Sequence, residues 1–167
     1  MAKKAFVWYD KVEQMRKRGL KMHLWIDADA CPVVDMAIRT AKKFGLETTL
    51  VCDDAHWMQR DGARTITVSR GADSADLMLV NLLSRGDAVV TQDYGLAALC
   101  LARGAKPIDQ NGRIYDENNI DSLLGMRHVA AKVRRGGGRM KGPSKRTRQQ
   151  DEWFEASLAQ LLKGSLE

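Results

Sequence analysis

The chain has 167 residues, 44% of them hydrophobic, which is enough for one packed domain and short for two. Its formal charge of +6 is unevenly spread: residues 1–22 carry +5, residues 127–150 carry nine Lys/Arg and no acid, and the remainder sums to −8, so basic ends flank an acidic body. Cys31, Cys52 and Cys100 form no C-x-x-C pair and residues 1–21 hold no long apolar run, which argues against a disulfide scaffold, a structural zinc site, secretion and membrane insertion, and for a reducing, cytoplasmic setting.

Met22 to Ile26 is a run of strand formers that stops at Asp27. Pro32 suits a first helical turn, and Val33, Val34, Ala37, Ile38 and Ala41 recur at helical spacing as far as Gly45. The unit then repeats. Thr48 to Cys52 reads as a strand ending at Asp53-Asp54, and Thr65 to Ser69 alternates apolar with polar residues. Asp73 to Ser84 carries Leu77, Val80 and Leu83 as a helical stripe, and Ala88 to Thr91 is again a strand. A helix with Leu96, Leu99 and Cys100 on one face follows, then an extended piece near Lys106 to Asp109. Alternation of this kind predicts an α/β fold of three layers, with a central, mostly parallel sheet and helices on both faces.

Beyond Ile114, Asp116 to Asn119 offers caps for a short helix running towards Met126. Residues 131–150 are basic, Gly-rich and without apolar period, and read as a linker. Helical spacing returns in residues 151–167, where Trp153, Phe154, Leu158, Leu161 and Leu162 form a stripe that docks on the body or on a second copy in a homo-oligomer. The expected organisation is a leader (1–21), an α/β domain (22–130), the linker and a C-terminal amphipathic helix.

Ligands of open parallel sheets bind beyond the carboxyl ends of the strands. In this chain the residues there are mostly aspartate: Asp27 and Asp29, then Asp53 and Asp54, then Asp73 and Asp76, then Asp93. Two unit charges about 4 Å apart repel by about 4 kcal/mol at an effective dielectric of 20, and a bound cation removes that penalty. Mg²⁺ or Mn²⁺, which take hard oxygen ligands, would meet phosphate oxygens at their remaining positions and activate a water for in-line attack. Singly, each acid also has a plain role; Asp73 and Asp93 are candidate helix N-caps.

Thr91 and Gln92 are candidate contacts to phosphate or to a metal-bound water. Arg134, Arg135, Arg139, Lys141, Lys145 and Arg146 would hold a polyanion by neutralising phosphates. A solvated tail is the alternative for the basic segment, and a polar strand end for Thr91-Gln92. His23 and His56 are isolated in sequence and are not nominated. Cys31, at a helix start, is a candidate nucleophile, but no Cys-x5-Arg phosphatase loop surrounds it, and no G-x-G-x-x-G or P-loop pattern supports a nucleotide cofactor. Asp27-Ala-Asp29 after a strand also matches the opening of the haloacid-dehalogenase phosphatase motif, whose later elements are missing.

Three segments, Ile26-Asp-Ala-Asp-Ala-Cys-Pro32, Gly71-Ala-Asp-Ser-Ala-Asp76 and Gly86-Asp-Ala-Val-Val-Thr-Gln-Asp-Tyr-Gly-Leu-Ala97, together resemble the bacterial YaiI/YqxD family of uncharacterised proteins. That family is grouped with PIN-like domains, typically Mg²⁺- or Mn²⁺-dependent ribonucleases, so the resemblance implies a PIN-like (Rossmann-like) topology and an acidic site. By position it implies Asp27 at the first acidic site, Asp73 or Asp76 at the second, and Asp93 at the third, with Asp29 and Asp53 in support. The middle acid, commonly glutamate in PIN nucleases, is aspartate here. Residues 1–21 fall outside the resemblance and are read as a divergent leader or an upstream start assignment.

The expected function is a metal-dependent nuclease acting on RNA, with Asp27, Asp73, Asp76 and Asp93 as catalytic metal ligands. The alternatives are a non-catalytic nucleic-acid-binding module and a small-molecule phosphatase using Asp27.

Overall fold

In the computed structural model, which describes residues 22–29, 31–69, 74–137, 142 and 144–164, five strands form one sheet. They are β1 (Leu24–Asp27), β2 (Thr48–Asp53), β3 (Arg64–Val68), β4 (Ala88–Val90) and β5 (Lys106–Ile108). The helices are α1 (Val34–Lys43), α2 (Ser74–Leu82), α3 (Tyr94–Ala102), α4 (Ile120–Arg135) and α5 (Arg148–Lys163). Strand order is β3-β2-β1-β4-β5 and each neighbouring pair is parallel. β2 and β3 are therefore laid on one side of β1, and β4 and β5 on the other. The order reverses between β1 and β4, and the crevice at the carboxyl edge of such a reversal is where sheets of this kind bind ligands.

The period of two along a strand sorts the core into layers. Leu24 and Ile26 pack with Ala37, Ile38 and Ala41 of α1 and with Phe154, Leu158 and Leu162 of α5. Trp25, between them, faces the other way, onto Leu79 and Leu82 of α2 and Leu96 and Cys100 of α3. Ile120 and Leu123 of α4 cluster with Ala97 of α3 and with Tyr115. This is the three-layer α/β arrangement read from the alternation of elements.

Two helical stripes are rotated from the sequence expectation. Leu77 is 55% and Leu99 45% exposed, whereas Leu79, Val80, Leu82 and Leu83, and Leu96, Ala97 and Cys100, are buried. Both helices are apolar nearly all round, so periodicity alone could not select the packed face. α4 is also longer than expected, running to Arg135 where a linker was read from residue 131. Its C-terminal part exposes Met126, Val129 and Val133 amid basic residues, a pattern weak enough to miss.

The last helix docks on the body. A capping box between Thr147 and Gln150 starts it, and Phe154, Leu158 and Leu162 are fully buried, each side chain worth about 1.5–3 kcal/mol. Trp153, expected in that stripe, is 56% exposed. Gly112, at φ +87°, lies beneath the helix, and a Cβ there would meet the Trp153 carbonyl oxygen at 2.8 Å. Arg146 completes the attachment by donating to the carboxylate of Asp151, to Asn111 Oδ1 at 3.1 Å and to the Gln110 carbonyl at 2.6 Å.

At the opposite, amino edge of the sheet, buried Asp87 accepts hydrogen bonds from the His23 N–H (3.1 Å), Trp25 Nε1 (3.0 Å) and the Ser84 N–H (2.9 Å). No helix among the described residues is long and apolar enough to cross a membrane.

Candidate metal centre

Three adjacent strands, β2, β1 and β4, deliver acids to the carboxyl edge. Asp27 is the last residue of β1 and Asp29 lies just beyond it; Asp53 ends β2; Asp93 follows β4 and caps α3. Across the crevice between β1 and β4, Thr91 Oγ1 donates to Asp27 Oδ2 at 2.8 Å and accepts from the Asp93 N–H at 3.0 Å. Thr91 is buried, and its carbonyl accepts from the Tyr115 hydroxyl at 3.3 Å. Its hydroxyl is thus committed to two protein partners, which makes it a positioning group for Asp27. Gln92 is exposed at the same rim.

Burial pushes the Asp27 carboxyl up to about 6; the Thr91 hydrogen bond opposes this, and the carboxylates of Asp76, Asp29 and Asp93 add to it. Asp76 occupies the first turn of α2. Burial pushes the Cys100 thiol up to about 12, and Asp27 and Asp76 add to the shift. Asp73 lies outside the described residues.

A second grouping adjoins the first. Asp29 Oδ1 and Oδ2 accept from the Asp53 N–H at 3.3 and 3.2 Å. Asp53 Oδ1 accepts from the His56 N–H at 2.8 Å and lies 2.8 Å from His56 Nδ1, which is 3.7 Å from Asp29 Oδ1. One ligand atom from each of Asp29, Asp53 and His56 lies within 4.8 Å of the others. Desolvation works to raise the Asp53 carboxyl, but the hydrogen bonds from His56 outweigh it and hold the group below the ordinary carboxylate range.

His56 was discounted as isolated. A 3-10 turn over Asp54–His56 returns it to the strand end, and the Asp-x-x-His spacing of an Asx-type turn was the available signal.

Asp93 Oδ1 accepts from the Gly95 N–H (2.7 Å), the Leu96 N–H (3.1 Å) and Arg127 Nη1 (2.9 Å). It is a helix cap and also one half of an ion pair. Arg127, which no spacing singled out, arrives from α4, 34 positions away in sequence. Ile120 and Leu123 cluster with Ala97 of α3, and Arg127 reaches the cap of the same helix. Lys132, Arg134 and Arg135 form the last turn of α4.

The donor set fits a hard divalent cation. Among the described residues, Asp29, Asp53 and His56 are the grouping whose ligand atoms lie within 4.8 Å of one another; beside it, a cation would offset the burial and, after it, the carboxylate repulsion that raise Asp27. Of the nominated phosphate contacts, Arg134, Arg135 and Lys145 are exposed, Arg146 is engaged with Asp151 and the turn after β5, and Arg139 and Lys141 lie outside the described residues. Cys31 is no thiolate: burial pushes its thiol up to about 11.

The model of the family described as "Uncharacterized BCR, YaiI/YqxD family" matches residues 25–164. A UPF0178 protein of Exiguobacterium sibiricum is 57% identical over 141 residues, 84% of this chain and 96% of that relative. One from Ruminiclostridium cellulolyticum is 46% identical over 142 residues, 85% of this chain and 93% of the relative. One from Bacillus cereus is 42% identical over 144 residues, 84% of this chain and 99% of the relative. No solved structure matches the chain. The family-model match over almost the whole described chain, with relatives similar along nearly their full length, establishes that this protein belongs to the YaiI/YqxD family.

Proposed function

We propose that this protein is a divalent-metal-dependent phosphodiesterase acting on RNA in the cytoplasm. Asp27 carries the reading. It is a carboxyl at the crevice between β1 and β4, buried enough to be pushed up to about 6 and crowded by Asp76, Asp29 and Asp93. Acids gathered at a cost are the usual preparation for a cation.

When bound, Mg²⁺ or Mn²⁺ would neutralise phosphate charge and lower the pKa of the attacking water. Asp27, Asp76 and Asp93, with Asp73, are the residues to hold it, and Asp29 and Asp53 stand beside them with His56. Thr91 fixes the orientation of Asp27 through its 2.8 Å hydrogen bond. Arg134, Arg135 and Lys145, with Arg139 and Lys141, hold the RNA backbone, a contact that weakens as salt rises.

The test is cleavage of single-stranded RNA in Mn²⁺ by the parent and by Asp27→Asn, expected to fall at least about a hundredfold in the variant. Equal rates, or cleavage that persists in EDTA, overturn the proposal. Salt-dependent RNA binding by both proteins with no cleavage by either selects the non-catalytic binding module instead.

A further inference from the structure

Arg127 projects from α4 to the acidic rim, where its Nη1 lies 2.9 Å from Asp93 Oδ1 and its side chain is 53% exposed. That position is unfavourable for a cation taken alone, because α3 begins at Tyr94 and presents the positive end of its dipole there. Asp93 offsets the cost. Space for the guanidinium is provided by Gly95: a Cβ at that position would meet Asp93 Oδ1 at 3.0 Å and Arg127 Nη1 at 3.3 Å. The fold therefore keeps a half-open guanidinium against one of the carboxylates that crowd Asp27.

We propose that Arg127 is the phosphate-binding residue of this site, recognising the phosphodiester of a nucleic acid, and that it is parked on Asp93 until a divalent cation takes that carboxylate. The inference rests on the metal-dependent reading above and deepens it by naming the group that meets the substrate. Arg127 takes Asp93 Oδ1, and a cation on the same carboxylate would repel the guanidinium, so each weakens the other's hold on Asp93. With a cation bound at Asp93, the guanidinium would be held less tightly and its planar fork would be available to two phosphate oxygens. Removing Arg127 should then have opposite effects on the two ligands, tightening the metal and weakening the RNA. Arg127→Lys separates this role from a mere loss of positive charge, because it keeps the charge and loses the bidentate fork.

The experiment uses the full chain as parent, Arg127→Ala and Arg127→Lys, with thermal melts to verify folding. Mn²⁺ affinity is read by calorimetry, and binding of a fluorescent single-stranded oligoribonucleotide by anisotropy in Ca²⁺. Arg127→Ala is expected to bind Mn²⁺ a few-fold more tightly and the oligoribonucleotide on the order of tenfold more weakly. Arg127→Lys is expected to restore the metal competition but only part of the RNA affinity, since an ammonium lacks the bidentate fork. Unchanged RNA affinity in Arg127→Ala, or parallel weakening of both ligands, overturns the role of Arg127 while leaving the metal reading standing. A parent protein that takes up no Mn²⁺ overturns the metal reading and the exchange on Asp93 together.

Discussion

Asp27 holds its proton more tightly folded than unfolded, with a carboxyl pushed up to about 6 from 3.8. Its contribution is therefore most favourable below the unfolded value, falls as pH rises through the window between those two values, and stays at its lower level above it. Ionised Asp27 then costs folding up to about 3 kcal/mol, before allowance for its partial exposure. Asp27→Asn keeps an acceptor for Thr91 and removes the charge. In EDTA it should stabilise the protein by about 1–3 kcal/mol near pH 8 and change little near pH 3.5, measured by urea denaturation. Equal shifts at both pH values would show that charge is not the cause.

At this scale the acids were legible because a parallel sheet puts every strand end on one edge, and Asp27, Asp53 and Asp93 fall where that rule places them. Arg127 was not legible. Its partner is brought to it by the packing of two helices, which leaves no local spacing to read.

At the level of elements, the acid at the amino edge of the sheet is structural. Asp87, ahead of β4, is satisfied by three N–H donors and locks the amino edge of the sheet. Asp87→Ala should cost about 2–4 kcal/mol, because the buried Trp25 Nε1 and two part-buried N–H groups lose their acceptor, with no effect on Mn²⁺ affinity. Gly112 tests the docking of α5. Its positive φ and the 2.8 Å approach of the Trp153 carbonyl leave no room for a side chain, so Gly112→Ala should lower stability by about 2 kcal/mol. An unchanged denaturation midpoint for Gly112→Ala would mean that the turn and the helix are not coupled. Strand and helix types were readable from alternation, but packed faces were less so: Leu77 and Leu99 face outward because α2 and α3 are apolar on nearly every side.

For the whole molecule, the charge division read from the sequence acquires geometry. The acidic body gathers carboxylates at the carboxyl ends of β2, β1 and β4, while α4 reaches that rim through Arg127 and ends in Arg134 and Arg135. Arg146 is fastened to the turn after β5, at the carboxyl edge of the sheet. Membership of the YaiI/YqxD family fits the span of this body, since the family match opens at Trp25 in β1 and closes just past α5.

The central claim is a divalent-metal site built around Asp27. It is tested most directly by a crystal structure of the protein with Mn²⁺, in which anomalous scattering locates the ion. An ion coordinated by Asp27 together with Asp93 or Asp76 is the expected result. Ordered Mn²⁺ that leaves Asp27 uncoordinated, or a rim without any ion at saturating Mn²⁺, would contradict it.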